Sequence, residues 1–358
     1  SVFSAYAVLF HLCHSCNSIV LNYKTMPVRH ILRRRYRQHL DVSAPRIYAC
    51  QARAKVHINP EIFCNFAENM RSTKHRILIT GANGQLGRAF VSSLSNDDSF
   101  DVHACGHSDL DIRDEKAVSQ AITDFGIDIL VNCAAYTAVD AAEDHPEEAY
   151  AVNHKAVAAI AYACNHLGVK LVHFSTDYVF DGQSRRPYLE SDTTAPLNVY
   201  GQSKLAGETA ALSICPDALI IRTAGVYAAW GHNFVRTIYS KLKDHKPLRV
   251  VADQLMSPTE ATTLVDVVRD IIASGQKSSG IFNFANNGEI SWYDLATAIA
   301  SISRLDESSI TPITMAEYPT KAARPAYSVL DTSLIRRTFG IRIPDWQSAL
   351  CRVVQQLQ

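Results

Sequence analysis

A short apolar run, Arg76-Ile-Leu-Ile-Thr80, stops at Gly81-Ala-Asn-Gly84-Gln-Leu-Gly87 and gives way to a helix-compatible stretch over 85–94. Such a run reads as a buried parallel strand. Glycines after it let the chain turn tightly and bring backbone N–H groups close to an anion. They also aim the positive end of the next helix at a pyrophosphate. The spacing is G-x-x-G-x-x-G rather than the commoner G-x-G-x-x-G, so alone it marks a turn as readily as a dinucleotide site.

A second element narrows the choice. Tyr200 and Lys204 stand four apart in a segment, 199–211, that reads as helical, and so share one face. An ammonium there can stabilise tyrosinate and bring a phenol down from its reference of about 10, making it a proton donor or acceptor. Residues 170–175 read as another parallel strand with Thr176 at its C-terminal end, where open α/β sheets place their ligand crevice. The Thr176 hydroxyl can polarise a carbonyl there; the alternative is that it satisfies nearby backbone groups.

Further strands are expected at 101–105, 128–133 and 218–222, alternating with helices. The fold class is therefore α/β, a doubly wound parallel sheet of Rossmann type with a smaller C-terminal substrate domain. The expected divisions are a basic extension over 1–69, a dinucleotide-binding domain over 70–223, and a mainly substrate-binding portion over 224–358. Some segments of the last portion should return to the first domain. Helices are expected at 292–303 and 346–357.

These residues resemble the extended short-chain dehydrogenase/reductase superfamily and, within it, the dTDP-4-dehydrorhamnose reductase family. The superfamily likeness rests on the glycine turn, Asp109-Leu-Asp-Ile-Arg-Asp114, Val131-Asn-Cys-Ala-Ala-Tyr-Thr-Ala-Val-Asp140, Ser175-Thr-Asp-Tyr-Val-Phe-Asp-Gly182 and Pro196-Leu-Asn-Val-Tyr-Gly-Gln-Ser-Lys204. The narrower likeness rests on Asp253-Gln254, Ser257-Pro-Thr259, Ser291-Trp-Tyr293, Ala316-Glu-Tyr-Pro-Thr320, Arg324-Pro325 and Pro344-Asp-Trp346. The resemblance implies Thr176, Tyr200 and Lys204 as the catalytic set, with Tyr200 protonating the oxygen of a C4 ketone as a nicotinamide delivers hydride. It implies cofactor contacts from Gly81, Gly84, Gln85, Leu86, Gly87, Asp111, Ile112, Ala134, Ala135 and Tyr136, besides Tyr200 and Lys204. A dTDP-sugar would meet Thr137, Val139, Asp140, Tyr178 and Arg324.

Three departures qualify the likeness. Thr223-Ala-Gly-Val-Tyr227 lacks the Trp that many bacterial members carry before Val-Tyr, and nearby Trp230 either replaces it or covers the core. Ala89 and Thr262 stand where metal-binding members have glutamates, so no metal is expected and any homodimer must form without the family's metal bridge. The second strand ends in Cys105-Gly-His-Ser108 without a carboxylate to hold a ribose 2′-OH. This favours NADPH, with NADH as the alternative.

Two competing functions share parts of the pattern. A 4,6-dehydratase places an Asp-Glu pair after the Thr, whereas this chain has Asp177-Tyr178 and lacks the acid that would expel water. A regulatory subunit resembling that of methionine adenosyltransferase would keep the fold without turnover, but has less need of Thr137-Ala-Val-Asp140 and Arg324-Pro325.

The 358 residues carry 35 basic and 35 acidic side chains. This balance gives no reason to expect a nucleic-acid partner, and no apolar stretch approaches the roughly 20 residues that span a bilayer. Residues 1–69 differ: nine Lys or Arg against three Asp or Glu, no glycine, and four of the nine cysteines. Arg29-His-Ile-Leu-Arg-Arg-Arg-Tyr-Arg37 is either a polyanion-binding run or a solvated one. The leader reads as sequence upstream of an enzyme starting at Met70, the alternative being an organellar transit peptide starting at Met26. Cys13-His-Ser-Cys16 lacks a second ligand pair at zinc-finger distance. The scattered remaining cysteines suggest reduced thiols and a cytoplasmic enzyme.

Overall fold

Alternating apolar strands of this kind bury both faces only when helices cover each side, and the computed structural model, which describes residues 74–276 and 279–358, has that arrangement. The basic run, the Cys13/Cys16 pair, Met26 and Met70 lie outside the described residues. The first half runs β1 (His75–Thr80), α1 (Gln85–Leu94), β2 (Phe100–Cys105), α2 (Glu115–Asp124), β3 (Ile129–Asn132), α3 (Val139–Asp144) and α4 (Pro146–Tyr150). A π-helical turn, Ala151–Lys155, leads into α5 (Ala156–Leu167), β4 (Lys170–Thr176), α6 (Val199–Ile214) and β5 (Leu219–Thr223). Next come β6 (Val226–Tyr227), α7 (Phe234–Lys243), β7 (Leu248–Val251), β8 (Leu255–Met256), β9 (Thr259–Glu260) and α8 (Ala261–Ala273). The chain ends with β10 (Gly280–Asn283), β11 (Ile290–Ser291), α9 (Trp292–Ser303), β12 (Ile310–Ile313), α10 (Ser333–Phe339) and α11 (Trp346–Leu357).

Six strands form one sheet in the order β10-β5-β4-β3-β1-β2, every neighbouring pair parallel. Strand periodicity sorts the side chains. Ile77, Ile79, Val131, Val172, Phe174 and Ile221 face a cluster shared with Phe90 of α1 and Leu264 and Val268 of α8. Leu78, Leu130, Leu171 and Ile220 face the other side, with Val118 of α2, Ile160 and Cys164 of α5 and Ala211 of α6. The chain order reverses between β1 and β3, so the ligand crevice of such a sheet falls at the C-terminal ends of these strands. A further cluster joins Val235 of α7, Val250 of β7, Leu295 and Ile299 of α9, and Leu350 and Val353 of α11. Segment 261–283 returns to the main sheet, α8 covering α1 and β10 extending the strand order beyond β5.

The helix carrying Tyr200 and Lys204 is held from several sides. Asn198 caps α6, accepting from Gly201 N at 2.7 Å, while its amide donates to Ala323 O at 2.7 Å. Gly201 and Gly207 allow close approach: an added Cβ would stand 2.2 Å from Tyr178 O and 2.1 Å from Asn153 O respectively. One turn beyond Lys204, Glu208 receives Arg222 of β5 in a two-pronged pair, Nε to Oε1 at 2.9 Å and Nη2 to Oε2 at 2.7 Å. Both side chains are at most 3% exposed. The Arg222 guanidinium also lies 5.1 Å from the Phe180 ring centre. Removing one partner strands a buried charge. Glu208→Gln is therefore expected to cost about 3 kcal/mol in urea unfolding, and an unchanged midpoint would show that the pair does not anchor α6.

Candidate active site

The glycine turn adopts the geometry that its sequence demands. Gly81 has φ +65°, and a Cβ there would stand 2.6 Å from Ala134 N; one at Gly87 would stand 2.2 Å from Gly81 O. Gly84 N donates to Gly81 O at 2.9 Å and closes the turn. Gly84 is the N-cap of α1, makes no side-chain cap, and no acidic residue occupies the first helical turn. Backbone N–H groups thus face the crevice without a competing carboxylate, which suits a pyrophosphate.

A polar row across the sheet fixes the opposite wall. Thr80, Asn132 and His173 are register neighbours on β1, β3 and β4. Thr80 Oγ1 donates to Asn132 Oδ1 at 2.7 Å, and Ala134 N donates to the same oxygen at 3.2 Å. Asn132 Nδ2 lies 3.1 Å from His173 Nδ1. Burial and the nearby Lys204 charge keep the His173 ring neutral, so its Nδ1 can accept from that amide. Asn153, in the π-helical turn, accepts from Tyr136 N at 2.9 Å and donates to Tyr136 O and Ser203 Oγ, both at 3.0 Å. It ties the loop after β3 to α6.

Thr176, Tyr178 and Tyr200 meet beyond the end of β4. Thr176 accepts from Tyr178 N at 3.2 Å and donates to Asp177 Oδ1 at 3.0 Å. Its side chain also lies beside Tyr200 and favours the ionised phenol. Tyr178 and Tyr200 make an edge-on contact with ring centres 6.0 Å apart. Lys204 Nζ donates to Phe174 O at 2.6 Å and is 2% exposed.

The electrostatics differ from the expectation that Lys204 lowers the Tyr200 pKa. Burial pushes the Tyr200 phenol above its ordinary value, with Thr176 pulling the other way and the Asp177 and Tyr178 charges adding to the rise. The Lys204 ammonium is directed at the β4 backbone. Burial lowers Lys204 to about 8, opposed by Glu208 and Cys133. Burial raises Asp177 to about 6 and Tyr178 to about 12, the latter opposed by Arg324 and Gln254.

The remaining expected residues fall into separate groups. Asp140, next to Val139 at the start of α3, holds Arg324 through two prongs at 3.1 and 2.7 Å and accepts from Ala322 N at 3.0 Å. Arg324 reaches Tyr178 as well, so Asp140, Arg324 and Tyr178 form one wall. Thr137 is exposed and Ala135 half-buried on the same loop. Leu86 packs against the first core cluster. Asp111 is engaged by Arg113 Nη2 at 2.7 Å, while Ile112 is buried in the core of α2 and α5. Gln85 turns its side chain to the C-terminal segment: Nε2 donates to Val226 O at 2.8 Å and Oε1 accepts from Asn233 at 2.7 Å. Trp230 donates to Gln85 O at 3.0 Å and packs on the first core cluster. Its ring is partly buried, which fits the core-covering alternative.

Asn132, Asn153, His173, Asp177 and Gln254 shape the site without having been singled out for it. A polar residue inside an otherwise apolar strand, as with Asn132 and His173, was the available signal. Ala89 is buried in the first core cluster and Thr262 is exposed. Among the described residues no group of three or more His, Cys, Asp or Glu side chains is placed to hold a metal ion.

A glycine-lined crevice beside a Thr, Tyr and Lys set on a doubly wound sheet defines a short-chain dehydrogenase/reductase. The family described as "RmlD substrate binding domain" matches residues 75–358. A dTDP-4-dehydrorhamnose reductase of Sinorhizobium fredii is 41% identical, over 79% of this chain and 97% of its own length. A probable dTDP-4,6-dihydroxy-2-methyloxan-3-one 4-ketoreductase of Streptomyces antibioticus is 42% identical, over 77% and 93%. The crystal structure of dTDP-4-dehydrorhamnose reductase from Bacillus anthracis, in complex with NADP, aligns with TM-score 0.76 and 34% identity, over 79% of this chain and 100% of that one. The chain belongs to the dTDP-4-dehydrorhamnose reductase family.

The low folded pKa of Lys204 has a consequence for stability. Its ionised form is penalised in the fold, in full below pH about 8, and the penalty fades as pH rises toward 10.5. Lys204→Met is expected to stabilise the fold by about 1–3 kcal/mol at neutral pH, with the advantage shrinking at higher pH. Urea unfolding at two pH values checks this; a variant less stable at neutral pH contradicts it.

Proposed function

We propose that the protein reduces the C4 ketone of dTDP-4-dehydro-L-rhamnose to dTDP-L-rhamnose with NADPH, NADH serving less well. The observation that carries this reading is the convergence of Thr176 and Tyr200 at the end of β4, one helical turn from buried Lys204, beside the glycine turn of α1. Family membership and the NADP-bound relative support the same cofactor class. The glycine turn and free helix end fit a dinucleotide pyrophosphate, and Gly106 to Ser108 present no carboxylate against a 2′-phosphate. When bound, the reduced nicotinamide supplies the hydride.

The protein's share is proton placement and alignment. Tyr200 gives its hydroxyl proton to the ketone oxygen as charge develops there. The upward push on its pKa keeps it protonated, the form that a reductase needs. Thr176 holds that oxygen, and Lys204 supplies positive charge below it. Tyr178, Arg324, Asp140, Val139 and Thr137 line the sugar side, and Tyr136, Ala134, Ala135, Asp111 and Ile112 the cofactor side. Crevice residues from the loop after β3 and from 318–328 support a division into a dinucleotide-binding portion and a mainly substrate-binding portion.

Described cysteines Cys105, Cys133, Cys164, Cys215 and Cys351 are free thiols, in keeping with a cytoplasmic enzyme. No described helix is long and apolar enough to cross a membrane. A homodimer here would rest on protein contacts, since Ala89 and Thr262 carry no carboxylate for a bridging metal.

Tyr200→Phe keeps the ring and removes the proton. Turnover should fall at least about a hundredfold while NADPH binding is retained. The assay follows NADPH absorbance with the dehydro-sugar generated in situ and identifies dTDP-L-rhamnose by chromatography. Near-normal turnover in the variant rules out the role given to Tyr200. Cofactor binding without turnover by the wild type removes the substrate assignment.

A further inference from the structure

The Thr176 hydroxyl has one proton and two lone pairs, and the structure accounts for nearly all of them. One lone pair accepts from Tyr178 N at 3.2 Å, and the proton goes to Asp177 Oδ1 at 3.0 Å. The remaining direction of the hydroxyl faces Tyr200, whose ionised form Thr176 favours when its proton turns that way. While that proton goes to Asp177, Thr176 has none to offer a carbonyl oxygen. Asp177 is itself 4% exposed. The hydroxyls that face it are Thr176 and Tyr178 from its own segment, Tyr200 from α6, and Ser328 from the strand-like segment beside β8, and the backbone N–H groups of Asp177 and Tyr178 also favour its carboxylate. Ser328 is buried and lies against the carboxyl without completing a hydrogen bond of normal geometry.

We propose that Asp177 is the positioning residue that decides where the single Thr176 hydroxyl proton points. As a carboxylate it takes that proton for itself. In its acid form it donates to Thr176 Oγ1, and the Thr176 proton turns toward the oxygen held by Tyr200. Reduction then has two donors at the developing alkoxide, Tyr200 and Thr176, in place of one. Asp177 transfers no proton to the substrate during turnover; its protonation state changes only the direction of a hydrogen bond. Burial brings its titration to about 6, near enough to neutrality for both forms to matter. This inference rests on the ketone-reductase reading given above.

The test is single-turnover NADPH oxidation by the whole enzyme across a pH range centred on about 6, for wild type, Asp177→Asn, Thr176→Val and Ser328→Ala. Wild-type rates should drop by at least about tenfold as pH rises through that value. Asp177→Asn should lose the step, because an amide does not titrate here in either orientation, and should fold at least as well because it removes a desolvated charge. Thr176→Val should lose the step too, since the step is expressed only through Thr176. Ser328→Ala should move it to higher pH, because Ser328 favours the carboxylate. Carbon NMR of Asp177, assigned by its absence in the Asn variant, should show the same midpoint without substrate or cofactor.

A step that persists in Asp177→Asn or Thr176→Val overturns the proposal. So does an Asn variant slowed by one factor at every pH with the step intact, which is the mark of a structural role. A carboxyl titrating at an ordinary Asp value overturns it as well. If the wild type binds NADPH and fails to reduce the sugar, the reductase reading fails, while the NMR titration still measures Asp177.

Discussion

The Lys204 ammonium lies almost wholly out of water, and a charge in that position is tolerated only where other groups take over the work of solvent. One hydrogen bond goes to Phe174 O, inside the strand that delivers Thr176 to the crevice. One helical turn further, Glu208 offsets part of the burial cost and is itself fixed by Arg222 of the next strand. The three charges thus link α6, β4 and β5. Their joint geometry places Tyr200 above the same strand end as Thr176. Lengthening or tilting α6 by a fraction of a turn would break two buried contacts at once. The reacting end of the helix therefore inherits its precision from charges that never touch a substrate.

Close backbone approach supplies the rest of that precision. Gly201 lets α6 come against the Tyr178 carbonyl, and Gly207 lets it come against the π-helical turn at Asn153. That turn widens the helical path by a residue and points the Asn153 amide at both polar groups of Tyr136 and at Ser203. The loop after β3, which bounds the dinucleotide crevice, is consequently locked to the helix that bears the proton donor. Asn132 performs a matching service from inside the sheet by holding Ala134 N, whose backbone lies where Gly81 has no Cβ. The two walls of the crevice are spaced by hydrogen bonds and missing side chains, not by bulky packing.

Much of this was legible in the sequence because it is local. The strand, glycine turn and helix at the start of the fold follow from β-branched runs and from a residue type that alone accepts φ +65° beside a backbone neighbour. The shared face of Tyr200 and Lys204 follows from helical spacing. What the sequence did not reveal depends on distant partners. Gln85 looks like a cofactor contact from its place in the glycine turn, yet its side chain serves Val226 and Asn233, more than a hundred residues later. Trp230 is drawn to Gln85 for the same reason. The Asp140 and Arg324 pair was seen as two separate sugar contacts, and only the fold shows that they hold each other. Lys204 was expected to act on Tyr200 through charge alone. Which of charge and burial wins cannot be known before the depth of the site is known.

That competition suits the direction of the proposed chemistry. An oxidising dehydrogenase gains from a phenol that sheds its proton easily, whereas a ketone reductase must hold the proton until the oxygen takes on charge. Desolvation supplies that restraint at Tyr200, and the same desolvation brings Lys204 down to about 8. Once the alkoxide forms, the sign of the effect reverses: negative charge arising in a dry site makes a nearby ammonium far more favourable than it was at rest. Low solvent exposure thus disfavours the charged groups before hydride transfer and rewards them during it. This is differential stabilisation of the transition state, obtained from burial and not from an added residue.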